Sequence, residues 1–217
     1  MIAWVVAAAR AAGSVDQVAV VTDHAGIARA AEDAGARALL DSTPATSGSD
    51  RIARLLALDP DAGRAEIVVN LQGDEPLIEP AAIDLAIAAL DDAPTADIAT
   101  LARLLRRGEE PGDPALVKVA LAADGRALWF SRAPIPHGAA ELVHVGLYAY
   151  RRAAFDRFIA APPTALERAE RLEQLRALEI GLTIMCARCD SSAVAVDRPE
   201  DLERVEAALA ARERSID

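Results

Sequence analysis

Aromatic residues are scarce in this chain: two Trp, two Tyr and three Phe make 3% of 217 residues, while the hydrophobic share is 53%. Alanine supplies much of that share, and small side chains let helices pack closely on a sheet, so an α/β domain is expected. Cysteine is nearly missing, with only Cys186 and Cys189. Their C-x-x-C spacing lies inside "TIMCARC", which reads as the end of a strand, whereas redox pairs open a helix after a strand. No second ligand pair accompanies them, which argues against a four-ligand zinc site. Two thiols and no export signal fit the cytoplasm. Basic charge is also short: 23 Lys and Arg against 34 Asp and Glu leave a net charge of −11 and a pI near 4.8. That balance argues against nonspecific binding to nucleic acid or an anionic membrane. A small anionic substrate stays compatible, because a metal ion and a few arginines can set the local field. Long apolar runs are missing too. The opening "MIAWVVAAARAA" is short and has no basic segment before it, so neither a signal peptide nor a membrane span is expected.

What is present alternates. Ile2, Val5, Val6 and Ala9 share one face of an opening helix. "QVAVVT" is a β-branched strand ended by Asp23. "HAGIARAAEDAG" is helical, with Ile27 and Ala31 on one face and Gly35 at its end. "ARALL" is a second strand, and the polar loop "DSTPATSGSD" leads to a helix from about Ile52 to Leu58. "AEIVVNLQ" is a continuous apolar strand of the kind buried in parallel sheets. A helix follows from about Pro80 to Leu90. This strand-then-helix order implies a doubly wound, mostly parallel sheet. Then the pattern changes. "ADIATLA" is a strand, and "ALVKVALAADGRALWFSRA" reads as a hairpin around Asp124 and Gly125. "VHVGLYAYR" is a further strand. Helices are expected over "RAAFDRFIAA" and, as one unbroken piece closed by Gly181, over "ALERAERLEQLRALEIG". "TIMCAR" and "AVAV" are short strands, and "RPEDLERVEAALAARER" is a last helix. No internal repeat or low-complexity tract interrupts the chain.

Five polar groupings stand at element ends. Gln72-Gly73-Asp74-Glu75-Pro76 follows the clearest strand, where ligands of open α/β sheets bind. A carboxylate there can hold Mg2+, though the same residues also make an ordinary turn and helix start. Asp197 and Asp201 flank the start of the last helix, where capping is the plain alternative. Thr46-Ser47-Gly48-Ser49-Asp50-Arg51 opens a helix and offers backbone N–H groups to an oxyanion or a base carbonyl, or simply caps it. Arg132, after Phe130-Ser131, can pair with a carboxylate or phosphate. His144 in "HVGLYAYR" and Glu173-Gln174 in "LEQLRALEIG" form the fifth grouping, with structural readings equally available.

The order of these segments resembles the 3-deoxy-manno-octulosonate cytidylyltransferase (CMP-Kdo synthetase) family. "TSGSDRIA", "VVNLQGDEPLI", "ALWFSRAPIP", "HVGLYAYR", "LEQLRALE" and "VDRPEDLERV" match its motifs in order, from near Met1 to about Leu209. The resemblance implies a three-layer α/β/α nucleotidyltransferase sandwich forming a single domain over residues 1–217. A mixed-sheet subregion near residues 110–160 would serve sugar binding and dimerisation. It implies transfer of CMP from CTP to 3-deoxy-manno-octulosonate (Kdo), with pyrophosphate released, Mg2+ as cofactor and a cytoplasmic homodimer as the assembly. Asp74 and Asp197 fall where the family holds catalytic magnesium. Gln72, Ser47 and Gly48 fall where the family contacts the cytidine, and Arg51 of the same motif is a further candidate substrate-binding residue. Arg132, His144, Tyr148, Glu173 and Gln174 fall where the family contacts the sugar acid. A related acid-sugar transferase and an inactive remnant that only folds or dimerises are the competing readings.

This sequence also departs from the family. Relatives begin with a strand and a loop resembling "IPARxxSxRLPGKPL", which grips the triphosphate; here Met1-Ile2 aligns with the helix after it. The expectation is a sheet with unpaired ladder groups, weakened triphosphate binding, and a coding start upstream of Met1. His137 stands where an aromatic is usual, and Arg198 replaces a threonine.

Overall fold

The computed structural model describes residues 1–45, 47–139, 141–190, 196, 202–203 and 205–209. They form two compact units, each with its own packing. One takes Met1–Gly63, Leu71–Asp84 and the described residues after Asp190; the other takes Arg64–Asn70 and Leu85–Asp190.

In the first unit, α1 (Ile2–Ala11) buries Val5, Val6 and Ala9, the face expected from the spacing. Strands β1 (Ala19–Thr22) and β2 (Arg37–Leu40) pair in parallel, joined by α2 (Ala25–Asp33). Val6, Ala31 and Ala36 form the core, against which Ile2, Val18, Val20 and Ala38 pack. Fully burying a valine stabilises by about 1.5–3 kcal/mol. The inward face of α2 is Ala28 and Ala31, and Ile27 is 41% exposed rather than buried beside Ala31. The small alanines admit the close approach, and the bulkier isoleucine turns outward. His24 caps α2, its Nδ1 accepting from Gly26 N at 3.1 Å. Gly35 follows at φ +87°, the left-handed conformation that ends a helix without a Cβ penalty. α3 (Gly48–Leu58) starts four residues earlier than the apolar pattern indicates, because Ser47 Oγ accepts from Asp50 N at 3.2 Å and caps it.

The second unit is built on a six-stranded mixed sheet. Its strands are β3 (Ile67–Leu71), β4 (Ile98–Leu104), β5 (Lys118–Leu121), β6 (Ala127–Ser131), β7 (Leu142–Arg151) and β8 (Ile184–Arg188). The path runs β6-β5-β7-β4-β8, with β3 also on β7. β4 is parallel to β8 and antiparallel to β7, and β5 and β6 form the expected hairpin, with Gly125 at φ +88° in its turn. The described strands therefore lie in two sheets, β1 with β2 and the other six together. The β4–β7 register shifts between Thr100 and Leu101: Thr100 faces Tyr148, but Leu101 faces Val145. α4 (Pro80–Asp91) begins on Pro80, as expected.

Lys118 is the only lysine in the chain. It is fully buried in β5, where its Nζ donates to the main-chain oxygens of Asp113, Leu116 and Arg132. Three acceptors match the three N–H groups of an ammonium, which is the condition for keeping a buried charge.

After α5 (Arg152–Ala160), the helix expected to run unbroken to Gly181 is two helices, α6 (Ala165–Glu170) and α7 (Glu173–Glu179). Arg171 breaks it, with φ 56° and ψ 49°. The break has a tertiary cause. Glu170 accepts from Ser131 Oγ at 2.7 Å and from Arg132 N at 2.9 Å, and Arg132 Nε donates back to Glu170 O at 2.9 Å. Helical periodicity continues through the break, so the pattern cannot reveal it. The strand expected at "AVAV" and the start of the last helix lie outside the described residues, apart from Val196.

Candidate active site

The residues expected on the nucleotide side gather in the first unit. β3 ends at Leu71, and Gln72 and Gly73 follow as exposed turn residues. Asp74 is half-buried, and its Oδ1 is withdrawn from solvent, as is Glu75 Oε2. A Cβ added to Gly48 would lie 3.7 Å from Gln72 Nε2, so the start of α3 sits directly beside the Gln72 amide. Two segments separated in sequence are thus brought together. Arg51, one turn into α3, donates from Nη2 to Asp23 Oδ2 at 2.8 Å. That guanidinium holds the Asp23 carboxyl below its ordinary value.

Val196 N donates to Asp74 O at 2.9 Å. It ties the residue just before Asp197 to the main chain of Asp74. Asp197 itself lies outside the described residues. Among the described residues no three His, Cys, Asp or Glu side chains cluster as a metal group. The donor chemistry nonetheless suits a hard cation, since a half-buried aspartate oxygen at a strand end is an apt Mg2+ ligand.

The residues expected on the sugar side belong to the second unit. His144 and Tyr148 are on β7, with ring centroids 5.1 Å apart, and Phe130 meets His144 edge-on at 5.3 Å. Loss of hydration pushes the His144 pKa down to about 3, so the ring is neutral at ordinary pH. Burial, then the charges of Tyr150 and Glu173, raise Tyr148 well above its usual value, so its hydroxyl keeps its proton. Glu173 and Gln174 open α7, and Gln174 is buried. Arg176 holds this turn: it pairs with Glu173 Oε1 and with Glu167 Oε2, both at 3.2 Å, and lies 4.1 Å over the Phe158 ring. Arg132 ends β6. Its guanidinium donates to Glu170 O, Pro114 O and Arg171 O, which fixes its plane and leaves two of its five N–H bonds.

Thr100, Lys118, Glu170 and Arg176 were not singled out by the sequence. Thr100 carries the one readable signal, a lone hydroxyl in the otherwise apolar strand "IATLA". Cys186 is buried in β8 and its thiol is pushed up to about 12 by desolvation, while Cys189 is partly exposed.

Known proteins share this arrangement. The sequence profile of the cytidylyltransferase family matches residues 1–184. A 3-deoxy-manno-octulosonate cytidylyltransferase of Azorhizobium caulinodans is 48% identical over 98% of this chain and 86% of its own. Its counterpart in Anaeromyxobacter dehalogenans is 50% identical over 97% of this chain and 87% of its own. Among solved structures, a CMP:2-keto-3-deoxy-manno-octonic acid synthetase complexed with CTP superposes with a TM-score of 0.87, at 33% identity over 97% of this chain and 88% of that one. A 4-diphosphocytidyl-2C-methyl-D-erythritol synthase shares the fold, with a TM-score of 0.62 at 14% identity. The fold is that of an α/β nucleotidyltransferase, and the class is that of the cytidylyl-transferring enzymes. Within that class, the chain belongs to the 3-deoxy-manno-octulosonate cytidylyltransferase family.

Proposed function

We propose that this chain transfers CMP from CTP to Kdo, releasing pyrophosphate, with Mg2+ held by Asp74 and Asp197. The observation that supports the metal-side assignment is the hydrogen bond from Val196 N to Asp74 O, Val196 being the residue before Asp197 in the sequence. The anomeric hydroxyl of the sugar attacks the α-phosphorus in line, and pyrophosphate leaves from the opposite side. Such a step depends on positioning and charge neutralisation rather than on a covalent enzyme intermediate. A bound magnesium ion would supply the charge neutralisation and acidify the attacking hydroxyl. Gln72, with Ser47 and Gly48 beside it, reads the cytosine. Arg51, turned toward Asp23, belongs to the same face of α3. Arg132 receives the sugar carboxylate with its two remaining N–H groups, and His144, Tyr148, Glu173 and Gln174 receive its hydroxyls. A cytoplasmic homodimer is the assembly in keeping with the family, and the mass of the purified protein in solution tests it. No helix among the described residues is long and apolar enough to cross a membrane.

Pyrophosphate release from CTP and Kdo, against UTP and sialic acid, tests the substrates. Asp74→Asn and Asp197→Asn are expected to remove turnover while the circular dichroism spectrum stays that of the parent. Turnover surviving in both would sink the metal assignment.

A further inference from the structure

We propose that Thr100 is a positioning residue for the sugar side of the site: it holds His144 with its proton on Nε2, so that Nδ1 is presented as an acceptor to a sugar hydroxyl. The inference rests on the reading of His144 as a sugar contact.

Thr100 is fully buried in β4. Its Oγ1 lies 2.9 Å from His144 Nε2, 2.7 Å from Leu147 O and 3.4 Å from Val145 O. A hydroxyl has one proton to give, and a carbonyl can only accept. The short contact to Leu147 O takes that proton. The contact with His144 then has one consistent form, in which Nε2–H donates to the hydroxyl oxygen. A neutral imidazole carries one N–H, so Nδ1 is left with a bare lone pair. His144 is partly exposed, and Nδ1 makes no hydrogen bond among the described residues.

The bond also sets the ring's flip. Turning the imidazole over would put carbon, not Nε2, against the threonine oxygen. The register shift in β7 opposite Thr100 makes the arrangement possible. A bulge leaves ladder groups to be satisfied in another way, and here the Thr100 hydroxyl gives its proton to Leu147 O, with Val145 O 3.4 Å away. The low basicity of the ring keeps Nδ1 unprotonated at ordinary pH. A lone pair repels a carboxylate and accepts from a hydroxyl. Nδ1 therefore selects a hydroxyl of a polyhydroxylated acid sugar, while the acid group is left to Arg132.

The test combines nitrogen NMR of the imidazoles with kinetics. In the unaltered protein and in Thr100→Ser, the His144 proton is expected on Nε2. In Thr100→Val that preference is lost, and the KM for Kdo rises about tenfold, the worth of one hydrogen bond of roughly 1.4 kcal/mol. The rise is expected in the sugar KM and not in kcat or the CTP KM, with Thr100→Ser restoring it. A proton found on Nδ1 in the unaltered protein overturns the proposal without recourse to any variant. So does a Thr100→Val protein with normal sugar KM while His144→Ala raises it. If His144→Ala itself leaves the sugar KM unchanged, the assignment of His144 to the sugar fails first.

Discussion

At His144 one residue combines a lowered basicity with a fixed tautomer. Its pKa is about 3 in the folded chain against 6.5 ordinarily. Between those values the unfolded chain binds the proton and the folded chain does not, so stability falls as pH drops below 6.5. The loss is about 1.4 kcal/mol per pH unit. Urea unfolding at pH 7 and pH 5.5 is expected to show this acid loss in the unaltered protein and a loss smaller by about 1.4 kcal/mol in His144→Gln. Burial also lowers the Lys118 pKa, but there three main-chain oxygens accept from the Nζ. Lys118→Met keeps the volume but strands those oxygens. It is expected to cost about 2–4 kcal/mol in denaturant unfolding.

Between elements, the α6–α7 break matters most for the site. Glu173 and Gln174 sit in the first turn of α7 only because the helix restarts after Arg171. Non-glycine residues pay roughly 1–2 kcal/mol in the left-handed conformation. The Glu170 bonds to Ser131 and Arg132, with the Arg132 bonds to Glu170 O and Arg171 O, offset it. Glu170→Ala is expected to lower stability by about 1–3 kcal/mol. It should also raise the KM for Kdo while leaving that for CTP unchanged, measured by pyrophosphate release under varied sugar and varied nucleotide. Equal changes in both would mean that the break supports the fold generally and not the sugar side.

On the scale of the whole molecule, ligand binding should appear as stability. A ligand that binds only the folded state at a hundred times its dissociation constant adds about 2.7 kcal/mol. CTP with Mg2+ is therefore expected to raise the melting temperature, and Asp74→Asn to remove the magnesium-dependent part. An unchanged melting temperature at high CTP would favour a chain that folds without binding nucleotide. The sequence by itself determined the order of strands and helices as far as α5, the hairpin at Asp124-Gly125, and the Gln72 to Asp74 turn at the end of β3. Those features follow from local periodicity, glycine and proline placement, and short-range capping, all written in contiguous residues. Tertiary structure alone decided the outward turn of Ile27, the break at Arg171, the burial of Lys118 and the pairing of Thr100 with His144. Each depends on partners supplied from elsewhere in the fold: packing space beside α2, the Ser131 and Arg132 groups that hold Glu170, carbonyls from the Asp113–Leu116 loop and from Arg132, and a bulge in β7 opposite β4. Such partners meet only once the chain has folded.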